Sequence, residues 1–180
     1  AMTLLALLAH PFIMLLLTDK WAPAIVLLQW LCFARVVTPI SALNMNILNA
    51  VGRSDLFLKV ELAKAPIIIA TLLITIPLGV KAIVIGNVIT SVISFFINAY
   101  LPGKLFGYGA KQQIKDMILI FIATAVMAIA VFLITLLFEN YYLQLGLGLI
   151  TAIVFYAITS YFLKIEELNE LKNILRKITR

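Results

Sequence analysis

The chain has 180 residues, of which 64% are hydrophobic and 12% charged, with a mean hydropathy of +1.13. A water-soluble domain carries roughly 45–50% apolar and about 25% charged residues, so a soluble globule is excluded. The formal net charge is +6, but the cations sit at the ends of apolar runs and form no stripe interleaved with aromatics, which excludes a nucleic-acid surface.

Breakers and charges divide the chain into six apolar segments, at about 3–17, 22–51, 55–78, 80–101, 112–138 and 141–163. Crossing roughly 30 Å of hydrocarbon takes about 20 mostly apolar residues in a helix. Residues 82–103, 117–138 and 140–163 contain no charge at all. Strands of an outer-membrane barrel would alternate apolar and polar positions, and these runs are apolar all round. The expected fold class is therefore all-α: a polytopic transmembrane helical bundle with about five full spans and part of another.

The first segment, 3–17, is short for a span, and no basic stretch precedes it, so it reads as the end of a longer helix and not as a cleavable signal. His10-Pro11 is the pair expected at a helix boundary, and His10 is the sole histidine. Histidine metal clusters and two-histidine acid–base schemes are thus ruled out. No cofactor or metal is expected. Cys32 lies inside the next segment, so no disulfide can form within the chain, and its bland role is a small core residue.

The second segment, 22–51, carries the one deeply placed cation, Arg35, about midway along it. A charge at a helix centre costs about 2.5–3.5 kcal/mol on insertion scales and marks a pathway or binding site by default. At about 100° per residue, Arg35, Thr38, Ala42, Asn46 and Asn49 fall within about 60° of one line, so one face of this helix is polar. That face should look into protein or water, and Pro39 should kink the helix. The functional reading is a cavity wall with a cation suited to an anionic group such as phosphate. The structural alternative is an arginine paired internally with a carboxylate or with carbonyls.

Ser54-Asp55 is the N-cap expected for the third segment. Glu61 and Lys64, three residues apart, are close enough to interact across one turn, either as a self-neutralising pair or in gating or ion coupling. In the fourth segment, Asn87, Asn98, Thr90, Ser91 and Ser94 are expected to hold helices together by hydrogen bonds. Gly107-Tyr108-Gly109 lacks the glycine spacing of a phosphate loop and reads as a flexible connection. Beyond the last span, 164–180 has the spacing of a short amphipathic helix, suited to lie on anionic lipid or in solvent.

If the spans alternate, Arg53, Lys59, Lys104, Lys111, Lys115, Lys164, Lys172, Arg176, Lys177 and Arg180 fall on one side and only Lys20 and Lys81 on the other. Basic residues favour the cytoplasmic side, which places the C-terminus there.

One stretch carries more than hydropathy: Leu43-Asn44-Met45-Asn46-Ile47-Leu48-Asn49-Ala50-Val51-Gly52-Arg53-Ser54-Asp55. It resembles the helix-to-turn segment of bacterial polysaccharide flippases of the O-antigen (Wzx) type, in the multidrug/oligosaccharidyl-lipid/polysaccharide exporter superfamily. Ala9-His10-Pro11-Phe12, Trp21-Ala22-Pro23-Ala24 and Ile97-Asn98-Ala99-Tyr100-Leu101-Pro102-Gly103-Lys104 add to the resemblance.

The resemblance implies a MATE-like arrangement of two six-helix lobes around a central cavity, with this chain as its C-terminal part. Residues 1–17 would end a truncated helix and 18–103 would be three helices closing the second lobe. Then 104–163 would supply a cytoplasmic loop and two additional helices, and 164–180 the tail. A preceding N-terminal lobe of the same protein would be the partner, alongside membrane lipids. The implied substrate is an undecaprenyl-diphosphate-linked oligosaccharide, flipped across the bacterial inner membrane for lipopolysaccharide or capsule synthesis. Arg35 is the residue suited to its diphosphate, with Thr38, Asn46 and Asn49 beside it. The implied protein is a transporter and not an enzyme. The rival readings are a drug exporter or lipid II flippase of the same superfamily, an integral-membrane enzyme of lipid metabolism, and a non-transporting membrane scaffold.

Overall fold

The computed structural model describes residues 1–163; the amphipathic tail expected at 164–180 lies outside them. The described chain is helical, with no strand. It runs α1 (Met2–Leu7), α2 (Ala9–Leu17), α3 (Ala22–Val36), α4 (Thr38–Ala50), α5 (Ser54–Thr75), α6 (Val80–Phe106), α7 (Ala110–Leu137) and α8 (Tyr141–Phe162).

Prolines set several of the breaks. Pro11 has no N–H to give to the carbonyl of Leu7, and the first apolar run breaks at Leu8, leaving Pro11 in the first turn of α2 where no partner is needed. In the same way the second run breaks at Val37, and Pro39 falls in the first turn of α4. The freed end of α3 is partly satisfied by the Thr38 hydroxyl, which donates to the Ala34 carbonyl at 3.4 Å. One expectation is corrected at α5: Ser54 is its first helical residue and makes no cap, and Asp55 instead accepts from the Arg53 guanidinium at 3.0 and 3.2 Å.

Four stretches are long and apolar enough to cross a membrane: Asp19–Ala50, which contains α3 and α4, and then α6, α7 and α8. Helix α5 has the length, 22 residues, but Lys59, Glu61 and Lys64 in its body keep it outside that set. Only 17–22% of each apolar stretch is buried within the chain, and large residues such as Leu73, Leu137, Ile153 and Phe162 stand open on the outside. Water would not tolerate so continuous an apolar surface, whereas lipid or further helices would.

Helix α6 is the hub. It packs against α3, α4 and α5, while α7 and α8 form a hairpin of their own. Two cores result. Met45, Leu48 and Val60 close α4 and α5 onto Ile97 and Leu101 of α6. Leu8, at the α1–α2 break, inserts between α7 and α8 against Met127, Val131 and Ala152. The short α1–α2 pair therefore joins the hairpin to α3. The 51–53 turn and the 107–109 loop lie at one end of the bundle and the 18–21 turn at the other, so Arg53, Lys59, Lys104 and Lys111 share an end that Lys20 does not.

Close approach in this setting needs small residues. A Cβ on Gly148 of α8 would lie 3.0 Å from Leu8 Cδ2, while one on Gly146 would meet nothing within 4 Å. Gly148→Leu should therefore destabilise the fold by about 1–3 kcal/mol, and Gly146→Leu should stay within about 0.5 kcal/mol. Thermal unfolding in detergent would show the difference, and equal melting points would remove Gly148 from the packing.

Candidate functional site

The polar face expected on the second segment is open along its whole length. Arg35, Thr38, Ala42, Asn46 and Asn49 are all exposed, whereas Cys32, Ala34, Met45 and Leu48 of the same two helices are buried. Burial of those apolar residues against neighbouring helices turns the polar line outward. The break at Val37 falls within the line, so Arg35 belongs to α3 and Thr38, Asn46 and Asn49 to α4. Among the described residues Arg35 has no carboxylate within ion-pairing reach, so the internally paired arginine is not seen.

Glu61 and Lys64 do meet. Lys64 Nζ stands 2.5 Å from Glu61 Oε1, with the Lys64 side chain 9% exposed and that of Glu61 45%. The lysine stem is buried in the bundle and its charge reaches outward to the carboxylate, as a long cationic side chain does in an apolar setting. The pair is thereby self-neutralised, and it is separate from the Arg35 stripe.

Behind the break lies a cavity of about 210 Å³ between α4, α5 and α6. Its polar lining comes from Thr38, Ser41, Asn87, Thr90, Ser91 and Ser94. Among the described residues, the Ser41 hydroxyl is buried there without a partner. Nor do the polar α6 residues hold the described helices together as expected. The Thr90 hydroxyl donates within its own helix, to the carbonyls of Gly86 and Asn87, and Asn98 Oδ1 is buried with no partner among the described residues. Thr38 belongs to both the cavity and the exposed line, so the two polar regions adjoin.

The amides that do join elements are ones the sequence reading passed over. Asn44, directly opposite the exposed line, pairs reciprocally with Gln113 of α7: Nδ2 donates to Oε1 at 3.0 Å, and Gln113 Nε2 donates back to Oδ1 at 2.8 Å. Both residues are 2% exposed. Gln113 Nε2 also donates to the Tyr108 carbonyl at 3.0 Å. Gln29 of α3 donates to Ala6 of α1 at 3.1 Å, and Gln144 of α8 donates to Thr135 and Phe138 at 3.1 and 2.6 Å. A lone amide in an apolar run must find partners, and that signal was available in the sequence.

The loop after α6 is ordered by the same network. Gly107 closes the helix with φ +70, where a side chain would be strained, and Gly103 and Gly109 touch backbone to backbone. Tyr108 donates its hydroxyl to Asp116 Oδ2 at 2.8 Å. The connection read as flexible is therefore a tight, bonded turn. Hydrogen bonding to Asp116, with some desolvation and the carboxylate charge, pushes the Tyr108 phenol above its ordinary value.

Two outcomes follow. Asn44→Leu or Gln113→Leu alone should cost about 1–2 kcal/mol by stranding the other amide, and the double substitution should cost less than the sum of the two; additive melting shifts in detergent would contradict the pair. The Tyr108–Asp116 bond needs the protonated phenol, and because the folded pKa is raised, its stabilisation holds below the ordinary tyrosine range and is lost as pH climbs through the folded value. Tyrosinate absorbance should therefore rise at lower pH in Asp116→Asn than in the parent chain.

Comparisons of the chain with protein-family models, curated proteins and solved structures give no match, so the assignment of function rests on the geometry above.

Proposed function

We propose that the chain is the C-terminal part of a transporter that flips a lipid-linked oligosaccharide across a bacterial inner membrane, with the C-terminus in the cytoplasm. The observation that carries this reading is the outward-facing polar line on a stretch long and apolar enough to span: Arg35, Thr38, Asn46 and Asn49 exposed together, with Arg35 unpaired among the described residues. A guanidinium in contact with acyl chains is costly. A water-filled chamber removes that cost, and the planar donors of Arg35 suit a diphosphate's oxygens.

In this reading Arg35 attracts the diphosphate, while Thr38, Asn46 and Asn49 offer hydrogen bonds to phosphate or sugar. The opposing wall of the chamber is assigned to the N-terminal lobe implied by the resemblance. The Glu61–Lys64 pair and the adjoining hydroxyl-lined cavity sit behind the wall, where a change in their packing would move α4 against α5. A drug exporter would use the same wall with a different substrate, and the unpaired cation favours an anionic one; lipid II carries a diphosphate too, so a lipid II flippase would use Arg35 in the same way.

Water access to the line is the direct test. In membranes holding the Cys32→Ala chain joined to its N-terminal lobe, Thr38→Cys and Asn46→Cys should react with a water-soluble maleimide, and Phe33→Cys and Leu43→Cys should not. Unreactive cysteines along the line would place it in lipid or in a dry interface and end the proposal. In a bacterial strain lacking its own flippase and supplied with this chain joined to its N-terminal lobe, Arg35→Lys should lower surface polysaccharide about tenfold relative to the same protein with Arg35, and unimpaired export would rule out bidentate anion binding.

A further inference from the structure

At the lysine-rich end of the bundle, two cavities share the walls formed by Phe96 and Tyr100 of α6. The first, about 470 Å³, runs between α5 and α6; its floor is apolar, and Lys59 stands at its edge. The second, about 620 Å³, lies where α6 turns into α7 and carries Lys104 and Lys111 with Gln112. Among the described residues, no acidic side chain lines either cavity. Lys104 and Lys111 are exposed and form no ion pair among the described residues; Asp55 is paired with Arg53, and Asp116 accepts from the Tyr108 hydroxyl.

This is a graded surface. Cations and an amide occupy the end, a tyrosine ring with 65% of its surface exposed stands between the two cavities, and phenylalanine and aliphatic walls continue along the helices. A molecule that fits brings an anionic head to the lysine-bearing cavity at the α6–α7 turn and an apolar chain along the α5–α6 cavity. A soluble anion would leave the apolar grooves empty, and a zwitterionic lipid would leave the lysines uncompensated.

We infer that the paired cavities flanking Phe96 and Tyr100 form a binding site for an anionic phospholipid, its phosphate held by Lys104 and Lys111 in the cavity at the α6–α7 turn, with Lys59 nearby, and an acyl chain along the apolar α5–α6 cavity. The site depends on the chain residing in a bilayer, but not on what the chain transports. It lies on α5, α6 and the tight α6–α7 turn, apart from the Arg35 line. Each lysine near anionic lipid strengthens attraction by about fivefold, so two or three together give a preference that can be measured over the bulk lipid.

The test is native mass spectrometry of the purified 180-residue chain in neutral detergent, titrated with phosphatidylglycerol or with phosphatidylcholine of the same acyl chains. Phosphatidylglycerol should be retained at least tenfold more strongly. Lys104→Gln with Lys111→Gln should remove most of that preference, Lys104→Arg with Lys111→Arg should keep it, and Lys20→Gln with Lys81→Gln should leave it unchanged. Circular dichroism confirms that each variant is helical. Equal retention of the two lipids, a preference that survives the paired Gln substitution at 104 and 111, or an equal loss on substituting Lys20 and Lys81 would overturn the site. Displacement of the lipid by excess inorganic phosphate would assign the lysines to a free anion and overturn it as well. Because binding is read without transport, this result and the fate of the flippase proposal are independent.

Discussion

A hydrogen-bonding group removed from water inside an apolar bundle has to find a partner, a wet cavity or the outside, because hydrocarbon supplies no donor or acceptor. Much of the architecture here follows from how this chain meets that condition. Backbone groups meet it by forming helix nearly throughout the described residues. Side-chain amides meet it by reaching a carbonyl or another amide on a neighbouring element, as Gln29, Asn44, Gln113 and Gln144 do. Hydroxyls turn back on their own helices, as Thr71, Thr90 and Thr124 do.

The groups left over are informative for the same reason. Among the described residues, Arg35, Asn46 and Asn49 are not absorbed by any neighbour and lie on one outward line, while Ser41 and Asn98 hold buried oxygens without partners around the α4–α6 packing. Stability alone would favour apolar residues at these positions, because in a membrane-like setting polar contacts between helices yield little, on the order of 1 kcal/mol. Their grouping along α3–α4 and the cavity behind it is what a polar path through an apolar protein requires. The lysines at one end are a separate matter, since Lys104 and Lys111 lie in the last turn of α6 and the first turn of α7, away from the Arg35 line.

The hub position of α6 ties these regions together. Its contacts with α3, α4 and α5 hold the polar line against the cavity, and its C-terminal turn fastens to α7 through the Gly103–Gly109 contact and the Gln113 bonds. The α7–α8 hairpin touches the rest chiefly through α1, α2 and that clasp.

Several elements could be read from residue order alone because they depend on neighbours three or four positions away. The apolar runs of α6, α7 and α8, the break before Pro39 and the angular line through Arg35, Thr38, Asn46 and Asn49 are set by helix geometry and by proline's missing N–H. Charge within α5 separates it from the four stretches apolar enough to span, and sequence reading had counted it as a full span by length and mean apolarity. Which faces are covered was decided only in three dimensions. Asn44 looked like one more polar residue of its helix until Gln113, 69 residues along the chain, proved to be its partner. The serines of α6 looked like helix-joining groups until the packing of α4 and α5 left a cavity in front of them. Local periodicity orients a side chain about its own helix axis, but its partners come from the packing of distant segments, which no short window of sequence contains.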